Sequence, residues 1–298
     1  MATVTAGGST ASTSDKAVRS DGAARTGAYV GKRILLTVVT LLVSTAVLVV
    51  LWYLAVNGSG VSSYIAKKPM DVLNYLFVDA KTGQSAAANR SELLGLLLVT
   101  LRHAAVGFVF GVGASVLIAM FFTLVKPAEF AFMPIAMLLR TVPLLAMAPI
   151  IYLIFGNGTL TAGLIGGVVV FFPLLVNLTI GLRSVSAQSV DLVRVYGGSR
   201  LTTLRKVAIP SALPYFFASM RIAVPGAITG AMLYEWLFTF EGMGAAIAAA
   251  KSRARYGMIW SIMVIVTVVS IALYTVVSIV ETSVLSKWGP NAGKAPTK

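Results

Sequence analysis

Residues 183–214 read RSVSAQSVDLVRVYGGSRLTTLRKVAIPSALP, a polar stretch set between apolar runs of bilayer-crossing length. That contrast decides the fold class. The whole chain of 298 residues is 57% hydrophobic and only 11% charged, with a mean hydropathy of +0.88. Soluble domains carry roughly 25% charged residues, so the length does not describe one or two soluble domains. The expectation is an all-α polytopic membrane protein with six transmembrane helices, in which residues 183–214 are a loop too structured for a plain connection.

Within that loop, Ser186 or Ser189 can cap a short helix. Val190, Leu192, Val193 and Val195 are expected on one side of it. Asp191 and Arg194 stand three apart and can pair, worth about 0.2–0.5 kcal/mol. Gly197-Gly198 ends the helix, because glycine reaches the left-handed conformation cheaply. Ser199 starts a second helix with Leu201, Leu204 and Val207 on one face and Arg200, Arg205 and Lys206 on another. Pro210 and Pro214 are expected to close it. Joining two spans requires no such helix pair, whereas an amphipathic helix offered to a groove on another protein is a recurrent recognition mode.

Outward from the loop, residues 1–30 are rich in Ala, Gly, Ser and Thr and are expected to be a disordered tail. An uncharged run of 23 residues from Ile34 to Val56 follows, enough for a first span. Residues 57–93 are mixed and polar, with a surface helix expected near Met70–Phe77. Further spans are expected at about 104–125, 133–155, 160–182, 215–238 and 258–280, within a transmembrane region of 31–288, with 289–298 a second tail. Arg140, Pro143 and Pro149 fall in the third span, and its prolines should kink or interrupt it. Phe171-Phe-Pro173 should kink the fourth. Residues 239–257 read as a polar outer loop whose basic Lys251–Arg255 is an exception to the charge pattern.

The 24 Lys and Arg outnumber the 10 Asp and Glu. Placing both termini and the 183–214 loop in the cytoplasm puts fourteen basic residues inside against seven outside, as the positive-inside bias requires. Such a distribution accounts for the net charge without nucleic acid. There is no cysteine, which removes disulfides, thiolate metal sites and cysteine nucleophiles. His103 is the only histidine and has no carboxylate near it in sequence, so no metal site or proton relay is expected. No internal or inverted repeat is visible, contrary to several secondary-transporter folds.

The loop resembles the EAA loop of ABC-transporter permeases of the binding-protein-dependent import family. There an acidic-Ala-Ala triplet is followed by a glycine and then a hydrophobic-x-hydrophobic-Pro ending. Here the triplet is Asp191-Leu192-Val193, the glycine Gly197, and the ending Val207-Ala208-Ile209-Pro210. The triplet departs from the pattern, with Asp for Glu and two larger residues for the alanines. Further motifs are similar to the nitrate/sulfonate/taurine branch: Thr100-Leu-Arg102, Gly107-Phe108, Arg140-Thr-Val-Pro143 through Pro149, Phe155-Gly156, Phe172-Pro173, Arg221-Ile-Ala223, Glu235, and Glu281 to Trp288.

The resemblance implies a permease subunit of the cell membrane, paired with a second copy as a homodimer. It implies an ATP-binding ABC subunit and an extracytoplasmic solute-binding protein as partners. No cofactor is expected on this chain; ATP and Mg would act through the partner, since no Gly-x-x-x-x-Gly-Lys-Ser/Thr loop is present. Cargo would be a small solute, an anion such as a sulfonate or nitrate, or a thiamine-precursor-like molecule. The ATPase-coupling residues implied are Asp191, Arg194, Gly197, Ser199, Leu204, Val207, Pro210 and Pro214.

Candidate pathway residues are Glu235, Trp236, Met147, Pro143 and Arg140. Glu235 either faces the path, as intramembrane charges tend to face a protein or water interior, or is an interfacial residue that is paired or solvated. Arg102 and Arg140 either contact an anion or snorkel to headgroups. Trp236, Met147, Met232 and Phe172 either line the path or pack against lipid and helices. Gly107-x-x-x-Gly111 allows close helix approach, and Gly226-x-x-x-Gly230 is a candidate subunit-pairing face. The competing class is an autonomous secondary transporter or channel, which needs coupling residues in its spans; Glu235 is the one candidate carboxylate there.

Overall fold

The structure, a computed structural model, describes residues 39–40, 43–79 and 83–288. The expected tails 1–30 and 289–298, and most of the first span's beginning, lie outside the described residues. Among the described residues every regular element is a helix. The chain divides into two compact units, residues 1–69 and 70–298.

The first unit carries α1 (Val43–Gly58), a short apolar helix. At its end the Ser59 hydroxyl donates to the Val56 carbonyl at 2.9 Å. The Trp52 indole donates to the Lys67 carbonyl at 3.2 Å, which folds the following turn back on the helix.

In the second unit, the short helix α2 (Pro69–Phe77) leads to α3 (Ala86–Leu124). α3 starts far earlier than the expected residue 104, because its polar first turns are satisfied. Ser85 caps it by accepting from the Ala88 amide, Asn89 donates to the Tyr75 carbonyl at 3.1 Å, and Arg90 donates to that of Leu76 at 2.6 Å.

The third expected span is broken. Helix α4 (Lys126–Leu139) and α5 (Leu144–Phe155) meet at 107° around Arg140–Pro143. Pro143 stands directly before α5, where its missing N–H costs nothing. By contrast α6 (Thr159–Arg183) runs unbroken through Pro173.

Arg200 to Phe238 form one continuous helical stretch. It comprises α8 (Arg200–Thr203), a π-helical turn Leu204–Ala208, and α9 (Ile209–Phe238). Pro210 and Pro214 therefore do not close the second helix of the loop, contrary to expectation. Pro210 falls in the first turn of α9 and Pro214 inside it. The Ile209 amide reaches back five residues to the Leu204 carbonyl, and this wider turn takes up the ring that an α turn would crowd.

Residues 239–257 are not a plain polar loop. Eleven of them belong to α10 (Gly242–Ser252), whose Met243, Ala245, Ala246 and Ala250 are buried. The small residues of GMGAAIAAA let this helix sink against the bundle despite the basic residues that follow. Helix α11 (Tyr256–Trp288) completes the chain.

The unit is built on α6, which packs between α3 and α9. Over half of its apolar window is buried (56%), against 6% for α11, which flanks α9 at the periphery. Glycine makes the centre possible. A Cβ on Gly107 would stand 2.8 Å from the Gly166 Cα, and one on Gly230 would stand 2.7 Å from the same atom. Three backbones thus converge on Gly166. Gly226-x-x-x-Gly230 is used here within the chain, against Val169 and Gly166.

Among the described residues four helices are long and apolar enough to cross a membrane, or up to five when the bent pair α4–α5 counts as one span, against the six expected. The protein is an all-α, multi-pass membrane protein.

Candidate functional site

The stretch 183–214 is assembled by short-range bonds. Arg183, at the end of α6, pairs with the buried Glu129 near the start of α4. The Ser186 hydroxyl accepts from the Ser189 amide and caps α7 (Ala187–Val195). Asp191 and Arg194 do pair, at 3.8 Å and largely exposed, so the pair contributes little.

Helix α7 ends in a Schellman motif. Gly197 has φ +75°, its amide reaches the Arg194 carbonyl at 2.9 Å, and the Gly198 amide reaches that of Val193 at 2.8 Å. A Cβ on Gly198 would meet Val193 Cγ1 at 2.4 Å, so both glycines are required by geometry. Ser199 then caps the next helix by accepting from the Thr202 amide.

The apolar residues of this segment divide into two sets. Leu204 and Ala208 are buried against Phe122, Leu178 and Leu182 of the bundle, while Val190, Val193 and Val207 are half-buried. Leu192, Val195 and Tyr196 are 59%, 83% and 82% exposed. A single apolar side of α7 was expected from sequence. The fold instead turns part of it inward and leaves a row of large apolar side chains facing out. Leu201 is also exposed, not on the buried face with Leu204.

The far end of α9 is assembled differently. The Glu235 carboxylate is wholly buried. It accepts from the Thr100 hydroxyl at 2.8 Å and from the Gly244 amide at 3.0 Å, and lies 2.8 Å from His103 Nδ1. Thr100 in turn accepts from the Met243 amide at 2.8 Å. These bonds tie α3, α9 and the first turn of α10 to one charged group, which burial would otherwise penalise by several kcal/mol.

Gly242 and Gly244 let α10 approach so closely. A Cβ on Gly242, which has φ +83°, would fall 2.2 Å from the carboxyl carbon of Glu235. His103 also meets the Tyr234 ring edge-on at 5.4 Å, and the Tyr234 hydroxyl donates to Asn157 Oδ1 at 2.7 Å.

The expectation that His103 lacks a carboxylate partner is thus overturned. The signal was present but hidden: Thr100 and His103 share a helix face three residues apart, and their partner lies in another span.

Other expected residues are not gathered into one site. Arg140 and Pro143 are exposed at the α4–α5 break, Met147 is half-buried on α5, and Trp236 is 55% exposed beside the sealed Glu235. Among the described residues Arg140 has no carboxylate within salt-bridge distance.

Two motifs quoted separately from sequence do meet, since Arg221 pairs with Glu281 at 3.0 Å. The basic Lys251–Arg255 also gains an account. Arg255 binds Glu92 at 3.0 Å and lies near Gln84 and Tyr75. The hydrogen bond to Glu92 raises its pKa above the usual arginine value, against the opposing effect of partial burial. Among the described residues no group of three or more His, Cys, Asp or Glu could hold a metal ion.

Comparison with known proteins follows this geometry. The family described as binding-protein-dependent transport system inner membrane component matches residues 111–288, more than half of the chain. A protein of Haemophilus influenzae named as an ABC transporter permease is 29% identical over 235 residues, covering 78% of this chain and 91% of its own. The riboflavin transport system permease protein RibX of Chloroflexus aurantiacus is 27% identical, covering 83% and 88%. The taurine transport system permease protein TauC of Escherichia coli is 27% identical, covering 71% and 76%.

Proposed function

Since the chain belongs to the binding-protein-dependent transport system inner membrane component family, we propose that it is the membrane-spanning permease subunit of an ATP-driven importer. A separate ATP-binding ABC subunit supplies the energy, with its ATP and Mg, and an extracytoplasmic binding protein delivers the solute. Two copies of this chain form the transmembrane part, each with six spans and with both termini and the 183–214 loop in the cytoplasm.

The observation that carries this reading is the exposed apolar row Leu192, Val195 and Tyr196 on a helix stopped by a Schellman turn. Large exposed apolar side chains outside the membrane call for a protein partner. The fold also supplies the transmission line. From Arg200 the segment continues through Leu204–Ala208 into α9 as one helical stretch, so force on α7 has only the hydrogen-bonded turn 196–199 to cross before it reaches a helix of the bundle. ATP binding moves the permease only through contacts that differ between its states. Asp191, Arg194, Gly197, Ser199, Leu204, Val207, Pro210 and Pro214 present or brace that contact.

We assign Glu235 to the scaffold rather than the path, because its oxygens are already committed to Thr100, His103 and Gly244. That assignment also weakens the autonomous-transporter alternative, which relies on this carboxylate for ion coupling. The pathway candidates that remain are Arg140, Pro143, Met147 and Trp236. Relatives with names as different as riboflavin and taurine permeases leave the cargo as a small solute, with a sulfonate-like anion the first to test.

Proteoliposomes test the reading. Uptake should require the ATP-binding subunit and ATP inside the reconstituted complex, and fail with the chain alone. Solute movement by the chain alone down an ion gradient would reject it.

A further inference from the structure

We propose that the groove between α3, α6 and α9 holds an acyl chain of an anionic phospholipid, whose headgroup rests on Arg205 and Lys206. The groove has a volume of about 190 Å³, and its walls include Met120, Leu182, Ile209, Ala212, Leu213 and Phe216. Every lining residue is apolar. A polar solute would leave its hydrogen-bonding groups unpaired there. The volume is also below the roughly 300 Å³ at which small-molecule pockets begin. A hydrocarbon chain from the surrounding bilayer meets both conditions.

The charges at one end of the groove select the kind of lipid. Each wall terminates in a basic residue: Lys126 just beyond α3, Arg183 ending α6, and Arg205 with Lys206 one turn before Ile209 of α9. Arg183 is held by Glu129. Among the described residues, Lys126, Arg205 and Lys206 have no carboxylate within salt-bridge distance. Arg205 and Lys206 are exposed, while Ile209, Leu213 and Phe216 are only half-buried. An apolar slot with uncompensated positive charge at its mouth matches a phospholipid of negative headgroup.

The lipid would touch more than an idle surface. Leu178, Leu182 and Ala212 belong to the same cluster as Leu204 and Ala208 of the π-helical turn. An occupied groove therefore backs the joint between the coupling segment and α9, which makes coupling sensitive to the anionic lipid content of the membrane.

The test uses the full chain purified in detergent and titrated with phosphatidylglycerol or phosphatidylcholine, with retained lipid counted by native mass spectrometry. Phosphatidylglycerol should be kept preferentially. Arg205→Gln and Lys206→Gln, both on the surface, should each lower its retention by about fivefold and leave phosphatidylcholine unchanged. Ala212→Leu should lose bound phosphatidylglycerol by filling the slot. Equal retention of the two lipids, indifferent to Arg205→Gln and Lys206→Gln, overturns the proposal. So does coverage by protein. The chain has no cysteine, so a cysteine at Leu213 can report on its neighbours. Complete crosslinking in membranes to a cysteine placed in residues 43–58, or to a second copy, would show that a helix and not a lipid fills the groove.

Discussion

The two ends of the Arg200–Phe238 helix are built on opposite plans. At the coupling end, hydrogen bonds span three to five residues: Ser186 to Ser189, Gly198 to Val193, Ser199 to Thr202, Ile209 to Leu204. The result is a shape that holds itself and leaves Leu192, Val195 and Tyr196 free to meet something else. At the other end, bonds join residues more than 130 apart: Thr100 and His103 to Glu235, Met243 to Thr100. Those bonds commit both oxygens of the buried Glu235 carboxylate within the fold. On the proposed reading one end is made to be bound and the other holds the bundle together, so stability and partner binding should respond to mutation separately.

The hardest blow to that division is Glu235→Ala. It leaves Thr100, His103 and Gly244 without their shared partner in a buried site and should cost about 3–5 kcal/mol, read as a large drop in Tm in detergent. Glu235→Gln, which keeps the shape, should cost less. If Glu235→Ala melted with the wild type, the carboxylate would not be what ties α3, α9 and α10. Next in size is Gly107→Val at the three-backbone junction. Its side chain meets Gly166 backbone rather than a flexible tip, and overpacking of this kind costs about 1–3 kcal/mol.

Gly197→Ala forces a side chain into a left-handed position, about 1–2 kcal/mol locally. It should lower recovery of the ATP-binding subunit more than it lowers Tm. Leu192→Asp sharpens the contrast further. Exposed as it is, it should shift stability by no more than about 0.5 kcal/mol while abolishing copurification of that subunit. A fall in Tm matching the loss of partner would show the two ends to be one cooperative unit. Smallest of all, Asp191→Ala removes a solvent-exposed pair worth a few tenths of a kcal/mol, and only the docking assay should detect it.

The same contrast explains what could be read in advance. The serine caps, the glycine stop and the Asp191–Arg194 pair depend on neighbours in sequence, so spacing alone located them. Several membrane spans were legible for the same reason, as runs of composition, but not the 107° angle of the break in the third. Errors arose where a distant partner intervened. Polar residues 86–92 looked like the end of a loop, yet Tyr75, Leu76 and Arg255 satisfy them and α3 continues. His103 looked solitary because its carboxylate lies 132 positions away. Pro210 and Pro214 looked like stops because nothing in their spacing announces a π turn. Small residues in α10 were masked by the basic ones beside them.

That π turn also sets an angle. A helix that carries one residue more than its regular repeat is out of phase on either side of the insertion, by about 100° for each residue. Everything before Leu204 is therefore aimed around the axis of α9 by a single backbone widening, independently of which side chains it bears. Removing Val207 would leave the serine cap and the glycine stop of α7 chemically intact and point the whole element the wrong way, as a key cut correctly but mounted a quarter-turn off its shaft.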